Sequence, residues 1–129
     1  MNTPRVIYIV DDDAFINSLV INHFRSEGYV VEAFTYGEDC LGSLCDNPDL
    51  VILDYFFLKE GHNVMSGMEI FNRIKELRPD LPVIMLSGQE RGDVVLDLAR
   101  KGIDDYVIKD VNFIDNLSVA VRNILGSSN

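Results

Sequence analysis

The sequence predicts an α/β domain of the doubly wound class, with a five-stranded parallel sheet and helices on both faces. Three observations predict it. Short apolar runs rich in Val and Ile alternate with segments of helical periodicity, no linker or repeat interrupts them, and 129 residues are the length of one ordinary domain. Such runs are typical of parallel strands buried on both faces. Crossovers are expected to be right-handed. By analogy with known open sheets of five strands, the predicted strand order is 2-1-3-4-5.

The predicted strands are the apolar runs at residues 6–10, 29–34, 50–53, 82–86 and 106–108. Amphipathic helices are predicted between and after them. Their apolar faces, in chain order, are Ile16, Leu19, Val20, His23 and Phe24; Leu41, Leu44 and Cys45; Ile70, Phe71, Ile74 and Leu77; Val94, Val95, Leu98 and Ala99; and Leu117, Ala120, Val121 and Ile124. Gly28, Pro79 and Gly102 are expected to end the first, third and fourth helices. Asn112 and Asp115 are predicted to form a capping pair before the fifth.

The composition narrows the class of function. Eleven basic and 21 acidic residues give a formal charge of −10. This charge disfavours direct binding to nucleic acid or to an anionic membrane, and favours cations and basic partner surfaces. The apolar runs are strand-sized and the N-terminus lacks a signal-peptide profile, so neither a membrane span nor secretion is expected. Two cysteines, Cys40 and Cys45, suit a reducing compartment. We therefore expect a cytoplasmic protein.

Polar and charged side chains follow the predicted strands on the side where each strand ends. In strand order they are Asp11-Asp12-Asp13, Asp54, Ser87 and Lys109. In doubly wound sheets, ligands bind beyond the carboxyl ends of the strands, at the switch point between strands 1 and 3. Acids gathered there raise one another's pKa unless a cation neutralises them. Carboxylate oxygens, with waters completing an octahedron, suit Mg2+.

A carboxylate beside a bound cation is also an arrangement for phosphoryl transfer. Aspartate can act as the nucleophile and form an acyl phosphate, a reaction that depends mainly on positioning and charge neutralisation. Lys109 is predicted on strand 5, about 10 Å from strand 3 at the usual strand spacing, and a lysine stem can cover much of that distance. Ser87, one strand away from Asp54, can donate a hydrogen bond to a phosphoryl oxygen.

Four short motifs together resemble the receiver domain of two-component response regulators, over essentially the whole chain. They are Val10-Asp11-Asp12, Leu53-Asp54, Leu86-Ser87-Gly88 and Tyr106-Val107-Ile108-Lys109. The resemblance implies a flavodoxin-like fold and a single receiver domain over residues 1–129. It further implies that Asp54 is the phosphoacceptor. Mg2+ would be held by the carboxylates of Asp11, Asp12 and Asp54 and by the backbone carbonyl of Phe56, with no organic cofactor.

The resemblance also implies how a signal would pass through the domain. A histidine kinase or phosphotransfer protein would phosphorylate Asp54, and Ser87 and Lys109 would contact the phosphoryl group. Tyr106 would change rotamer with Ser87 and alter the surface around helix 4, strand 5 and helix 5. The domain would not be an enzyme beyond its own phosphorylation and dephosphorylation. The output partner stays open: the domain either binds it as a separate protein or is covalently joined to an output domain.

Two departures from the family pattern are expected to reshape the rim of the site. The family usually has a proline four residues after the phosphoacceptor and a glycine about eight after it. Here the proline is absent and the matching glycine is Gly67, which lengthens the loop between 55 and 67. Asp110 follows Lys109 where the family usually has a proline with a cis bond. Because a cis bond before another residue costs about 2.5–4 kcal/mol, we predict a trans bond there.

Simpler interpretations apply to several other residues. Asp13 is expected to be the N-cap of the first helix. His23 is expected to pack on the apolar face of that helix, and Cys40 and Cys45 to be small core residues of the second helix. In the lengthened loop, His62 is expected to face solvent. The apolar run at residues 56–58 either covers the site or packs against the third helix.

Three alternative functions compete with the phosphorylation switch. A pseudo-receiver that binds proteins without phosphate would be supported by a lost acid or a lost Lys109; none is lost, but Asp110 and the lengthened loop leave this alternative open. A phosphatase of the haloacid-dehalogenase type needs a second acid two residues after its nucleophile, where Phe56 stands. A flavin carrier needs a hydroxyl-rich phosphate cradle after strand 1, where Asp11, Asp12 and Asp13 would repel a phosphate.

Overall fold

The computed structural model describes residues 3–55, 67–88 and 92–126. Its strands are Val6–Val10 (β1), Val30–Phe34 (β2), Leu50–Asp54 (β3), Val83–Ser87 (β4) and Asp105–Ile108 (β5). Its helices are Ala14–Ser26 (α1), Gly37–Gly42 (α2), Gly67–Leu77 (α3), Gly92–Arg100 (α4) and Phe113–Leu125 (α5), with a 3-10 turn at Leu44–Asp46. Among the helices in these ranges, none has the length and apolar character needed to cross a membrane.

The strands form one parallel sheet in the order β2-β1-β3-β4-β5. The predicted fold class and strand order are therefore confirmed. The register places Val10 beside Leu53, Asp54 beside Leu86 and Ser87 beside Ile108. The carboxyl ends of β1, β3, β4 and β5 consequently lie at one edge of the sheet.

The sheet separates two apolar cores. Ile7 and Ile9 of β1 face the core shared with α1 and α5, whereas Tyr8 and Val10 face the core shared with α2 and α3. All residues of β3 and β4 are buried. This covering of both faces explains why the sequences of β3 and β4 are apolar up to their last residue and do not alternate with polar residues.

Local sequence signals set the ends of α1. The carboxylate of Asp13 accepts hydrogen bonds from the backbone N–H groups of Phe15 and Ile16, so the predicted N-cap is confirmed. After the helix, Gly28 has a φ of 95°, a conformation that glycine adopts without steric strain. His23 is half-buried, packs edge-on against the ring of Phe24 and pairs with Glu27 at 3.6 Å, which agrees with the packed position predicted for it.

Three predicted core positions are wrong. Cys40 is fully buried as predicted, but α2 ends at Gly42 and the tighter 3-10 turn that follows buries Leu44 and exposes Cys45. Leu77, the last residue of α3, is 55% exposed, and Leu81 in the following turn is buried instead. On α4, Leu98 is buried and Ala99 is exposed. The side chains of Val94 and Val95 lie outside the described residues.

The capping pair predicted at Asn112 and Asp115 is also wrong. Asn112 precedes α5, but its side chain makes no capping hydrogen bond to the helix. Its backbone N–H donates instead to Oδ1 of Asp110 at 2.8 Å. The backbone that leads into α5 is therefore held by Asp110 and not by the side chain of Asn112.

Candidate functional site

Three carboxylates meet at the carboxyl edge of the sheet. Asp11 and Asp12 follow β1, and Asp54 is the last residue of β3, the neighbouring strand. Each offers an oxygen atom, and these atoms lie within 4.8 Å of one another. Asp11 is fully buried, Asp54 is 3% exposed and Asp12 is half-buried. The strand ends thus bring together the carboxylates that the sequence placed at the switch point.

Lys109 reaches this cluster from the end of β5. Its Nζ lies 2.7 Å from Oδ2 of Asp11 and 3.2 Å from Oδ1 of Asp54. Burial by itself lowers the pKa of Lys109, but the hydrogen bonds and negative charges of Asp11 and Asp54 outweigh it and raise the pKa. Lys109 is therefore an ammonium at neutral pH and neutralises part of the cluster's charge.

Asp11 is held by three hydrogen bonds, two through its backbone and one through its carboxylate. Its N–H donates to the carbonyl oxygen of Phe34 at 3.1 Å, and its Oδ1 accepts from the N–H of Asp13 at 2.9 Å. Its carbonyl oxygen accepts from Nδ2 of Asn17 at 2.8 Å. Asn17, which is 8% exposed on α1, was not among the predicted site residues. The available signal was its spacing, because Asn17 stands three and seven residues before the buried Val20 and Phe24.

Ser87 and Tyr106 occupy the neighbouring strands. Ser87 ends β4 and is 1% exposed, one strand from Asp54. Its carbonyl oxygen accepts a hydrogen bond from the N–H of Lys109 at 2.8 Å. Tyr106 lies on the edge strand β5, pairs with Met85 and is half-buried against the core. Ser87 is thus placed between the acidic cluster and the outer strand that carries Tyr106.

Gly67 packs against the end of β3. A Cβ atom at this position would lie 2.4 Å from the carbonyl oxygen of Asp54 and 2.6 Å from that of Tyr55. Because backbone atoms cannot yield as a flexible side chain can, only glycine fits here. The assignment of Gly67 as the family's glycine agrees with this contact. The run at 56–58 and His62 lie outside the described residues, and so does the Phe56 carbonyl predicted as a metal ligand.

The peptide bond between Lys109 and Asp110 is trans, as predicted. The chain turns directly after β5, and Lys109 nevertheless reaches the carboxylates. The site therefore combines hard oxygen donors, an ammonium group and a buried hydroxyl around Asp54. Such a set can hold a divalent cation beside a carboxylate nucleophile and can neutralise an incoming phosphoryl group.

Comparison with known proteins gives a consistent family match. The sequence profile of the response regulator receiver domain matches residues 7–122. The transcriptional regulatory protein CssR of Bacillus subtilis is 34% identical over 104 residues, covering 80% of this chain and 44% of CssR. The luminescence regulatory protein LuxO of Vibrio campbellii is 28% identical over 118 residues, covering 91% of this chain and 25% of LuxO. The chain thus spans less than half the length of these curated relatives.

Solved structures agree with the profile match. A CheY-like response regulator receiver domain protein from Methanospirillum hungatei superposes with a TM-score of 0.78 at 27% identity, covering 95% of this chain and 94% of the other. The signal receiver domain of a putative LuxO repressor protein from Vibrio parahaemolyticus superposes with a TM-score of 0.83. At 24% identity, with 95% of this chain and 91% of the other covered, that second likeness supports the fold alone.

Proposed function

Since the chain belongs to the response regulator receiver domain family of two-component systems, we propose that it is a phosphorylation switch with Asp54 as the phosphoacceptor. One observation carries the proposal: Lys109 from the fifth strand and the carboxylates of Asp11 and Asp12 converge on Asp54. A buried turn acid without a role in binding would not require this convergence of charges from three strands. We further propose that residues 1–129 act as a single receiver domain, in the cytoplasm.

The acidic cluster fits Mg2+ as its cation. Its donors are carboxylate oxygens, which hard divalent cations prefer, and they lie within 4.8 Å of one another. Asp11, Asp12 and Asp54 would hold the ion, with the backbone carbonyl of Phe56 as the proposed fourth protein ligand. When bound, Mg2+ would supply positive charge beside the transferring phosphoryl group.

In the proposed transfer, a histidine kinase or phosphotransfer protein presents a phosphohistidine. An Oδ atom of Asp54 attacks phosphorus, an O–P bond forms, the N–P bond breaks, and the electron pair returns to the imidazole. Lys109 pairs with a phosphoryl oxygen, and the hydroxyl of Ser87 donates a hydrogen bond to another. These residues act mainly by orienting groups and neutralising charge, as is general for phosphoryl transfer.

The proposed surface that responds to phosphorylation lies at the β5 edge of the sheet. A phosphoryl group on Asp54 would favour a conformation in which Ser87 moves inward and Tyr106 follows it, and partner affinity would shift that population further. A groove of about 520 Å3 lies between β5 and α5 and is lined in part by Tyr106 and Val119. We propose that the output protein or domain binds around this groove, on the surface of α4, β5 and α5.

The direct test is phosphorylation by a small phosphodonor such as acetyl phosphate, with MgCl2, followed by intact-protein mass spectrometry. The wild-type protein should gain one phosphoryl group, and Asp54→Asn should gain none. Asp13→Asn is the matched control: this exposed N-cap acid lies beside the cluster, and asparagine caps a helix equally well. Absence of any response in the wild type would instead support the pseudo-receiver, and sustained product release from many phosphomonoesters would support a phosphatase.

A further inference from the structure

We propose that Asp110 is a positioning residue that holds Lys109 against Asp11 and Asp54. The inference rests on the proposed function of the acidic cluster, and it assigns a role to a residue outside that cluster. Asp110 is exposed, so its carboxylate does not pack in the core. Its hydrogen bonds to the chain on both sides of it indicate what it does instead.

The backbone of Lys109 is constrained on each side. Its N–H donates to the carbonyl oxygen of Ser87 at 2.8 Å, which ties it to β4. The N–H of Asp110 then donates back to the carbonyl oxygen of Ile108 at 2.9 Å. This bond closes a three-residue turn with Lys109 at its centre. The direction in which the lysine side chain leaves the sheet is therefore set by this turn.

The carboxylate of Asp110 stabilises the next segment of the chain. Its Oδ1 accepts a hydrogen bond from the N–H of Asn112 at 2.8 Å, and its carbonyl oxygen accepts from the N–H of Phe113 at 3.1 Å. Side-chain bonds of this kind to the backbone two residues ahead favour turns. Phe113 is 8% exposed and begins α5 within the core. The turn at Lys109 is thereby anchored to a buried helix.

Loosening this turn should slow phosphorylation of Asp54 and at the same time strengthen Mg2+ binding. A less restrained ammonium would assist phosphoryl transfer less, so phosphorylation should slow. Lys109 Nζ also lies 2.7 Å from Asp11, a carboxylate that we assign to Mg2+. The ammonium and the cation therefore compete for that group, and a looser lysine should allow tighter Mg2+ binding. A purely structural defect near the site would weaken binding as well as reactivity.

The test is a graded series at residue 110 with two readouts: the Mg2+ dissociation constant from calorimetry and the rate of phosphorylation by acetyl phosphate. Asp110→Ala should lower the Mg2+ dissociation constant, which means tighter binding, and should lower the phosphorylation rate. Each change should be about fivefold, the factor that corresponds to one net hydrogen bond. Asp110→Asn retains the side-chain acceptor and should match the wild type, and Asp110→Ser should be intermediate. Asp115→Ala removes another exposed acid, from the first turn of α5, and should change neither quantity.

A double-mutant cycle shows whether Asp110 acts through Lys109. In a Lys109→Met background, Asp110→Ala should have no further effect on either quantity. Additive effects in that background, or weaker Mg2+ binding by Asp110→Ala, would overturn the inference. If the wild-type protein binds Mg2+ and is phosphorylated, and Asp110→Ala behaves like it, the inference about Asp110 is overturned and the proposed function is left intact. A wild-type protein that neither binds Mg2+ nor is phosphorylated would overturn both.

Discussion

Replacing Lys109 with methionine tests whether the ammonium group of Lys109 neutralises the buried carboxylates of Asp11 and Asp54 when no metal is bound. Lys109 Nζ lies 2.7 Å from Asp11 and 3.2 Å from Asp54, and both carboxylates are withdrawn from water. Methionine keeps an unbranched apolar stem and removes the charge. We expect Lys109→Met to be less stable than the wild type in the absence of divalent cations. We also expect it to gain more stability from Mg2+.

The size of the loss follows from the burial of the pair. Removing one partner of a buried ion pair costs about 3–5 kcal/mol. The Lys109 side chain is 18% exposed, and Asp11 keeps the hydrogen bond from Asp13, so we expect the lower end, about 3 kcal/mol. For a domain of this length the melting temperature should then fall by about 10 °C. Mg2+ at about 100 times its dissociation constant adds about 2.7 kcal/mol and should restore most of the loss.

The assay is urea unfolding at neutral pH, in EDTA and in MgCl2. Because the pKa of Lys109 is raised in the folded protein, its contribution is complete below its ordinary value of 10.5 and is lost only as pH rises through the folded-state value. Lys101→Met is the control, since Lys101 pairs with Asp97 at 3.6 Å on the surface and should contribute less than about 1 kcal/mol. Wild-type stability of Lys109→Met in EDTA would refute the reasoning.

Further changes test other parts of the structure. Gly67→Ala would place a Cβ 2.4 Å from the carbonyl oxygen of Asp54. It should lower the free energy of unfolding by about 2–3 kcal/mol in urea titration, and an unchanged midpoint would contradict the close approach of α3. Native protein should react with a thiol reagent at Cys45 alone, since burial raises the pKa of Cys40 to about 12; rapid labelling of both thiols would contradict this. Asp13→Ala should lose about 1 kcal/mol of stability through its N-cap, whereas equal stability of the alanine and asparagine variants would show that the cap contributes little.

The fold could be predicted because its strands are apolar runs that end at charged residues. Because β1 and β3 are parallel neighbours, the residues at their carboxyl ends, Asp11 and Asp54, must lie at the same edge of the sheet. The reach of Lys109 was predictable for the same reason, from strand spacing and the length of its stem. Periodicity was least informative where the helix was short, as at α2, whose six residues left Cys45 outside the predicted face.

Two hydrogen bonds that shape the site could not be predicted from the sequence. Asn112 has the residue type of a helix cap, but Asp110 binds its backbone first and sets the entry into α5. Asn17 has the spacing of a core residue and a polar side chain, and only the position of the Asp11 carbonyl explains its burial. The bond of Asp110 is local and replaces the cap that the residue type of Asn112 predicts, whereas the bond of Asn17 depends on where the end of β1 places the Asp11 carbonyl.

The contact of Gly67 with Asp54 and Tyr55 has a consequence for how this region can vary in length. The chain departs after Tyr55 and returns at Gly67 to almost the same point, against the carbonyl oxygens of Asp54 and Tyr55. This contact fixes the two ends of the intervening segment. A flexible connection costs only about 0.6 kcal/mol more to close for each doubling of its length. We therefore expect a modest insertion between Tyr55 and Gly67 to change the free energy of unfolding by less than about 1 kcal/mol in urea titration.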